Sequence, residues 1–247
     1  MRSFLSVFGL AARTSFYKCI GALLAAAAVE TGVFYYCLKT RGQALRLEEI
    51  LDQTVFCLTP ILGMVFLLSI LYETFRAGKG SGSFYTVARL SAGRKEIAAA
   101  CALYNICILL LSAAAQLLLF YLFSQWYIRQ TNPSDAVHVT FLAFMRSKVI
   151  FSFLPLYLPL HLIKNLIVLI TVSMTAAAGA AGFQVRIIYG YLTFIVIFML
   201  KSTSAIGAIG LISGSLAAAG ILIYKMLRMP LSAEDSDAEI PGGADYA

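Results

Sequence analysis

The sequence predicts an all-α, polytopic membrane protein with six transmembrane helices, and two observations carry that prediction. The 247 residues are 60% hydrophobic and only 13% charged, with a mean hydropathy of +0.85. A water-soluble domain carries about a quarter charged residues, so too few polar side chains remain here to cover a soluble enzyme. The apolar residues also stand in long unbroken runs, and a helix satisfies its backbone groups in lipid within a single segment.

The spans read in order as Cys19–Leu38, Thr54–Tyr72, Ile97–Ile128, Phe153–Ala176, Ile187–Leu200 and Ser204–Tyr224. A bilayer crossing needs about 20 mostly apolar residues. The third run is longer than that and is expected to tilt or project. The fifth is short, and it reaches spanning length only with Gln184–Arg186 and Lys201–Thr203 as its ends.

Before the first span, Phe4, Leu5, Phe8, Ala11, Ala12, Ser15 and Phe16 recur at helical spacing. Residues 1–18 are therefore expected to form an amphipathic helix in the membrane interface. Arg13 and Lys18 interrupt the apolar run, which argues against a cleaved signal peptide. Residues 19–228 make the transmembrane domain, with an inner segment at 73–96 and an outer segment at 129–152. Residues 229–247, with Glu234, Asp235, Asp237 and Glu239 among Gly and Ala, read as a disordered acidic tail.

The 19 Lys and Arg against 12 Asp and Glu are spread singly between apolar runs, without the basic tract a nucleic-acid surface needs. They set orientation instead. With the N-terminus cytoplasmic, Arg2, Arg13, Lys18, Arg76, Lys79, Arg89, Arg94, Lys95, Arg186, Lys225 and Arg228 lie inside. Lys39, Arg41, Arg46, Arg129, Arg146, Lys148 and Lys201 lie outside. The excess favours both termini in the cytoplasm. Tyr35, Tyr36, Tyr121, Trp126 and Tyr127 fit interfacial belts, and the glycines at 207, 210, 214 and 220 permit close helix approach in the last span.

The five cysteines form no CxxC and have no histidine at ligand spacing, so they read as small apolar filler; Cys37 and Cys57 fall near one membrane face, where a disulfide could form. His138 and His161 are the two histidines. No metal site and no catalytic nucleophile–base set is expected.

Ionisable residues at membrane depth cost roughly 2.5–3.5 kcal/mol on insertion scales and so demand a reason. Glu30 and Lys164 both fall near mid-depth with opposite charges. One reading is an intramembrane ion pair. A second has His161, Lys164 and Asn165, which share a helix face at i, i+3 and i+4, lining a polar translocation path with Gln116. A third has the charges snorkelling to headgroups.

The inner segment between spans two and three carries the most information. Span two ends at Glu73, and the Gly-rich turn Arg76-Ala-Gly-Lys-Gly-Ser-Gly-Ser83 follows. Next come a short amphipathic element, Phe84-Tyr-Thr-Val-Ala-Arg-Leu90, and the turn Ser91-Ala-Gly-Arg-Lys-Glu96. By physics alone this is either an orientation anchor or a short interfacial helix on which a soluble partner docks.

In this order of features the chain resembles the type-2 permease subunits of ATP-binding-cassette exporters. Glu73, Gly80-Ser-Gly82, Leu90 and Ser91-Ala-Gly-Arg94 follow that family's pattern, although no Pro stands in the last turn. The outer stretch Phe141-Leu-Ala-Phe-Met-Arg-Ser147, before Leu154-Pro155, is similar to the family's outer half-helices. The likeness covers most of the chain in architecture and about 25 residues in motif.

The resemblance implies a cytoplasmic coupling helix, with Glu73, Arg76, Phe84, Arg89, Leu90, Arg94 and Lys95 transmitting closure of a separate ATPase. It implies ATP and Mg on that partner and no cofactor in this chain. It further implies a second permease chain, identical or sister, in a bacterial plasma membrane, and export of a peptide, drug or lipid-like substrate. Gly78-Lys-Gly-Ser81 lacks the spacing of a phosphate-binding loop, so any ATP chemistry belongs to the partner. Two alternatives stand beside this expectation: a proton- or sodium-driven secondary transporter, and a non-transporting scaffold or sensor subunit. An intramembrane enzyme finds no clustered catalytic set to support it.

Overall fold

In the computed structural model, residues 2–41, 46–73, 94–131, 136–147, 150, 159–178, 212–216 and 219–220 are described. Six helices follow in order: α1 (Arg2–Arg41), α2 (Leu47–Leu51), α3 (Thr54–Glu73), α4 (Arg94–Thr131), α5 (Ala136–Arg146) and α6 (Pro159–Ala178). Residues 212–216 are also helical. Among the described residues, four helices are long and apolar enough to cross a membrane: Phe4–Thr40, Thr54–Glu73, Glu96–Thr131 and Pro159–Ala177. The second and third match the expected spans to within a few residues, the first contains Cys19–Leu38 but begins at Phe4, and the fourth overlaps Phe153–Ala176. The fifth span lies outside the described residues, as does most of the sixth.

The boundary expected at residue 18 is absent, because α1 runs unbroken for 40 residues. At ~1.5 Å per residue it is about 60 Å long, twice the roughly 30 Å hydrocarbon core. Nothing local breaks it, and both of its halves carry a buried stripe. Val7, Ala11, Ser15, Cys19 and Ala22 are buried on one side, followed by Glu30, Phe34, Cys37 and Leu38. That stripe seats the N-terminal half of α1 against α3 and α4 in the same way as its spanning half. Arg13 and Lys18 face outward, where long side chains carry their charge to water.

The helix directions follow from pairs of touching residues. Phe34 meets Phe56 and Gly63 faces Ala26, so α1 and α3 are antiparallel. Ser15 meets Tyr104, and Phe34 stacks on Phe123 with ring centroids 4.5 Å apart, so α1 and α4 run parallel. The Asn105 amide donates to the Ser173 carbonyl at 3.3 Å, which joins α6 to α4.

Pro60 lies inside α3 and cannot donate to the carbonyl of Phe56. The Thr59 hydroxyl donates to that carbonyl at 2.8 Å, so the freed group is not left bare in lipid. Elsewhere Thr14, Thr31, Ser69, Thr171 and Ser173 bond the carbonyl four residues back in the same helix. Their hydroxyls are thereby satisfied without water.

At one end, α2, α5 and the ends of the spans form a polar cap. The Arg146 guanidinium lies 3.4 Å from Glu48, which is also 4.0 Å from Arg46. The Ser147 hydroxyl donates to Asp52 at 2.9 Å, and the Cys37 thiol donates to Gln53 at 3.3 Å. The helical outer stretch anticipated before the fourth span is α5. All five cysteines are free thiols, so Cys37 and Cys57 are not joined.

Candidate functional site: a polar layer between two apolar clusters

The buried apolar residues fall into two clusters at different depths. The inner one joins Val7, Ala11 and Cys19 of α1 to Leu67 and Leu71 of α3, Cys101 and Tyr104 of α4, and Val168 and Val172 of α6. The outer one joins Phe34 and Cys37 of α1 to Phe56 of α3, and to Phe120, Phe123 and Tyr127 of α4. Along α4 the inner cluster ends at Leu109 and the outer one begins at Phe120; the buried residues in the gap are Ser112 and Gln116. Along α1 the gap holds Glu30.

Glu30 is fully buried and Gln116 is 7% exposed. The Gln116 carboxamide nitrogen donates to Oε1 of Glu30 at 2.7 Å, which ties α1 to α4 at the centre of the layer. The second carboxyl oxygen, Oε2 of Glu30, and the carbonyl oxygen Oε1 of Gln116 are buried without a hydrogen-bond partner. Ser112 reaches the Met64 sulfur of α3 at 4.0 Å.

On α6, His161 and Lys164 are buried, at 4% and 1% exposure, and Asn165 is half-buried. The contact between Asn105 and Ser173 sets their depth. From Asn105 to Gln116 the chain rises about 16 Å, and from Ser173 back to Lys164 about 14 Å, at ~1.5 Å per residue. Gln116 and Lys164 thus lie at comparable distances along their own helices from this contact.

Glu30 and Lys164 do not form an ion pair, which corrects the first of the three sequence readings. Among the described residues the ion pairs are Arg46–Glu48 and Arg146–Glu48, both at the outer cap. The physical reason is the position of α4. Glu30 faces α4 and meets Gln116 there, whereas α6 packs on α4 beside Asn105. The sequence places no Asp or Glu between residues 97 and 134 or between 136 and 233. Glu30 is thus the chain's single carboxylate at mid-depth, and it is engaged elsewhere.

Of the coupling residues, Glu73 is the exposed last residue of α3, and Arg94 and Lys95 open α4. Arg76, Phe84, Arg89 and Leu90 lie outside the described residues. Among the described residues no group of three or more His, Cys, Asp or Glu could hold a metal ion.

Sequence reasoning missed Asn105, a polar residue on α4 about three turns before Gln116. It counted Ser15 in the helical pattern before the first span but not its contact, the Tyr104 hydroxyl 2.9 Å away beside the inner cluster. Both stand out as polar residues within apolar runs, the signal that singled out Gln116. Their partners could not be read, because each lies on another helix.

The described part of the molecule is thus a bundle of apolar helices of spanning length with a buried polar layer near mid-depth. The chain matches no family model, no curated protein and no solved structure.

Proposed function

We propose that this chain is the membrane-spanning permease subunit of an ATP-binding-cassette transporter, working with separate cytoplasmic ATPase subunits and a second permease chain. Its substrate is a peptide, drug or lipid-like molecule, and the direction is export. The observation that best supports a transport role is the polar layer. Glu30 and Gln116 are buried between two apolar clusters, and His161 and Lys164 are buried on α6. Polar and ionisable groups inside a membrane are expensive and face a bundle interior or a path. The ATP-driven part of the reading rests on the resemblance of residues 73–96, where Phe84–Leu90 would carry ATPase closure to spans two and three.

A mild-detergent pull-down of the tagged chain from its native membrane, followed by mass spectrometry, tests this. Recovery of an ATPase bearing a phosphate-binding loop, at near one-to-one stoichiometry, is expected. Arg89→Glu or Leu90→Asp should then abolish ATPase coupling while leaving assembly intact. A clean preparation without an ATPase overturns the assignment and reduces residues 73–96 to an orientation anchor.

A second reading, a proton- or sodium-driven secondary carrier, is favoured by one observation: Glu30, a carboxyl group at mid-depth with an unpartnered oxygen. Substrate uptake by proteoliposomes holding this chain alone under an imposed proton gradient would support it.

A further inference from the structure

The Glu30–Gln116 contact leaves two buried oxygens bare, and both belong to the same pair. A carboxamide offers N–H donors on one side and one carbonyl acceptor on the other. An ionised carboxylate only accepts, whereas a carboxylic acid accepts through one oxygen and donates through the other. As an ionised group, Glu30 accepts one bond from Gln116 and nothing satisfies either Oε2 of Glu30 or Oε1 of Gln116. A single proton on Oε2 supplies the one missing donor. It points at Oε1 of Gln116 and closes a cyclic acid–amide pair with two hydrogen bonds, using both orphaned oxygens at once. The terminal torsions of Glu and Gln are broad, so the two planar groups can face each other without a rotamer change.

We propose that Glu30 and Gln116 together form a buried proton-binding site that joins α1 to α4 in the middle of the membrane. One proton is taken up on Oε2 of Glu30 and shared as a hydrogen bond with Oε1 of Gln116; no other bond is made or broken. The site stands on the hydrogen-bond geometry and is independent of the ATP-driven and secondary-carrier readings.

The surroundings agree with a neutral pair. From α1 itself, no ionisable side chain lies between Cys19 and Tyr35 apart from Glu30. On α3 none lies between Cys57 and Tyr72, and on α4 none lies between Cys107 and Tyr121. The helix α2 joins the Phe34 cluster through Leu47, Ile50 and Leu51, and its Glu48 is engaged with Arg46 and Arg146. On α6 the buried titratable groups are His161 and Lys164, and Lys164 is not paired with Glu30.

Infrared spectroscopy of the full-length protein in lipid nanodiscs at neutral pH tests the site. Carboxyl groups in water are ionised there, so a carboxylic-acid C=O band reports Glu30. We expect that band in the wild type, its loss in Glu30→Gln, and its shift in Gln116→Leu, where the acceptor is gone. Glu30→Gln keeps the shape and both hydrogen bonds of the neutral acid, and should assemble with an unchanged melting temperature. A wild-type spectrum without the band overturns the proposal whatever the variants do. A band that survives Glu30→Gln overturns it too, as does failure of Glu30→Gln to assemble. A Glu30 carboxylate signal that responds to Lys164→Gln assigns the charge to an ion pair instead.

Discussion

The Gln116 carboxamide sits 2.7 Å from the Glu30 carboxyl group, and this single contact joins two parallel helices at a depth where the surrounding buried side chains are apolar above and below. It is the hydrogen bond between side chains of different spans at which a buried charge-bearing group is engaged. Its removal should therefore be felt asymmetrically.

Gln116→Leu strips Glu30 of its donor and should destabilise the protein by about 1–3 kcal/mol, the cost of leaving a buried polar group unsatisfied. Replacing both residues, Glu30→Leu with Gln116→Leu, should cost less than Gln116→Leu alone. Thermal or denaturant unfolding of the three proteins in detergent measures this. A double variant weaker than the single one would show that the contact is not an isolated pair.

Gly63 lets α1 and α3 pack closely: a Cβ there would stand 3.0 Å from Cβ of Ala26. Gly63→Val should force the helices apart and lower stability by roughly 1–3 kcal/mol, the range for overpacking. Gly32→Val is the control, because a Cβ at Gly32 meets nothing within 4 Å. Equal melting temperatures for the two variants would contradict the close crossing.

Thr59 supplies the hydrogen that Pro60 cannot. Thr59→Val preserves shape and removes the hydroxyl, leaving the Phe56 carbonyl bare, and should cost about 1–3 kcal/mol. In a Pro60→Ala background the backbone N–H returns, and the same Thr59→Val change should cost much less. That coupling, read from a double-mutant cycle, distinguishes backbone repair from simple packing.

At the outer cap, the exposed Arg146–Glu48 pair should contribute little. Arg146 is 58% exposed at its side chain, and such pairs are worth about 0–1 kcal/mol. Ser147 is fully buried and donates to Asp52; Ser147→Ala should cost about 0.5–1.5 kcal/mol. Glu48→Gln should also lose its small effect at high salt, whereas Ser147→Ala should not. Unfolding at low and high ionic strength checks both.

Much of the fold was legible in the chain because lipid imposes a simple rule. Long apolar runs must be helices, and Thr54–Tyr72 and Ile97–Ile128 differ from α3 and α4 only by a few terminal residues. The boundary expected at residue 18 rested on the helical spacing of Phe4, Leu5, Phe8, Ala11, Ala12, Ser15 and Phe16, and α1 runs through it unbroken. In three dimensions Arg13 and Lys18 occupy the outward side of a helix whose opposite stripe is buried from Val7 to Ala22 and again from Glu30 to Leu38. Helix continuity was settled by that packing, not by the local spacing.

The candidate site divides in the same way. Composition and run length determined that this is a protein of membrane-spanning helices, and that Glu30, Gln116, His161 and Lys164 are too polar for their depth, since the cost of burying them depends only on position along a span. Which of them meet was decided by the tertiary structure. Opposite charge and equal depth made Glu30 and Lys164 look like partners, but depth is one coordinate of three. The side of α4 on which α1 and α6 each pack fixes the others, and it gives Glu30 to Gln116.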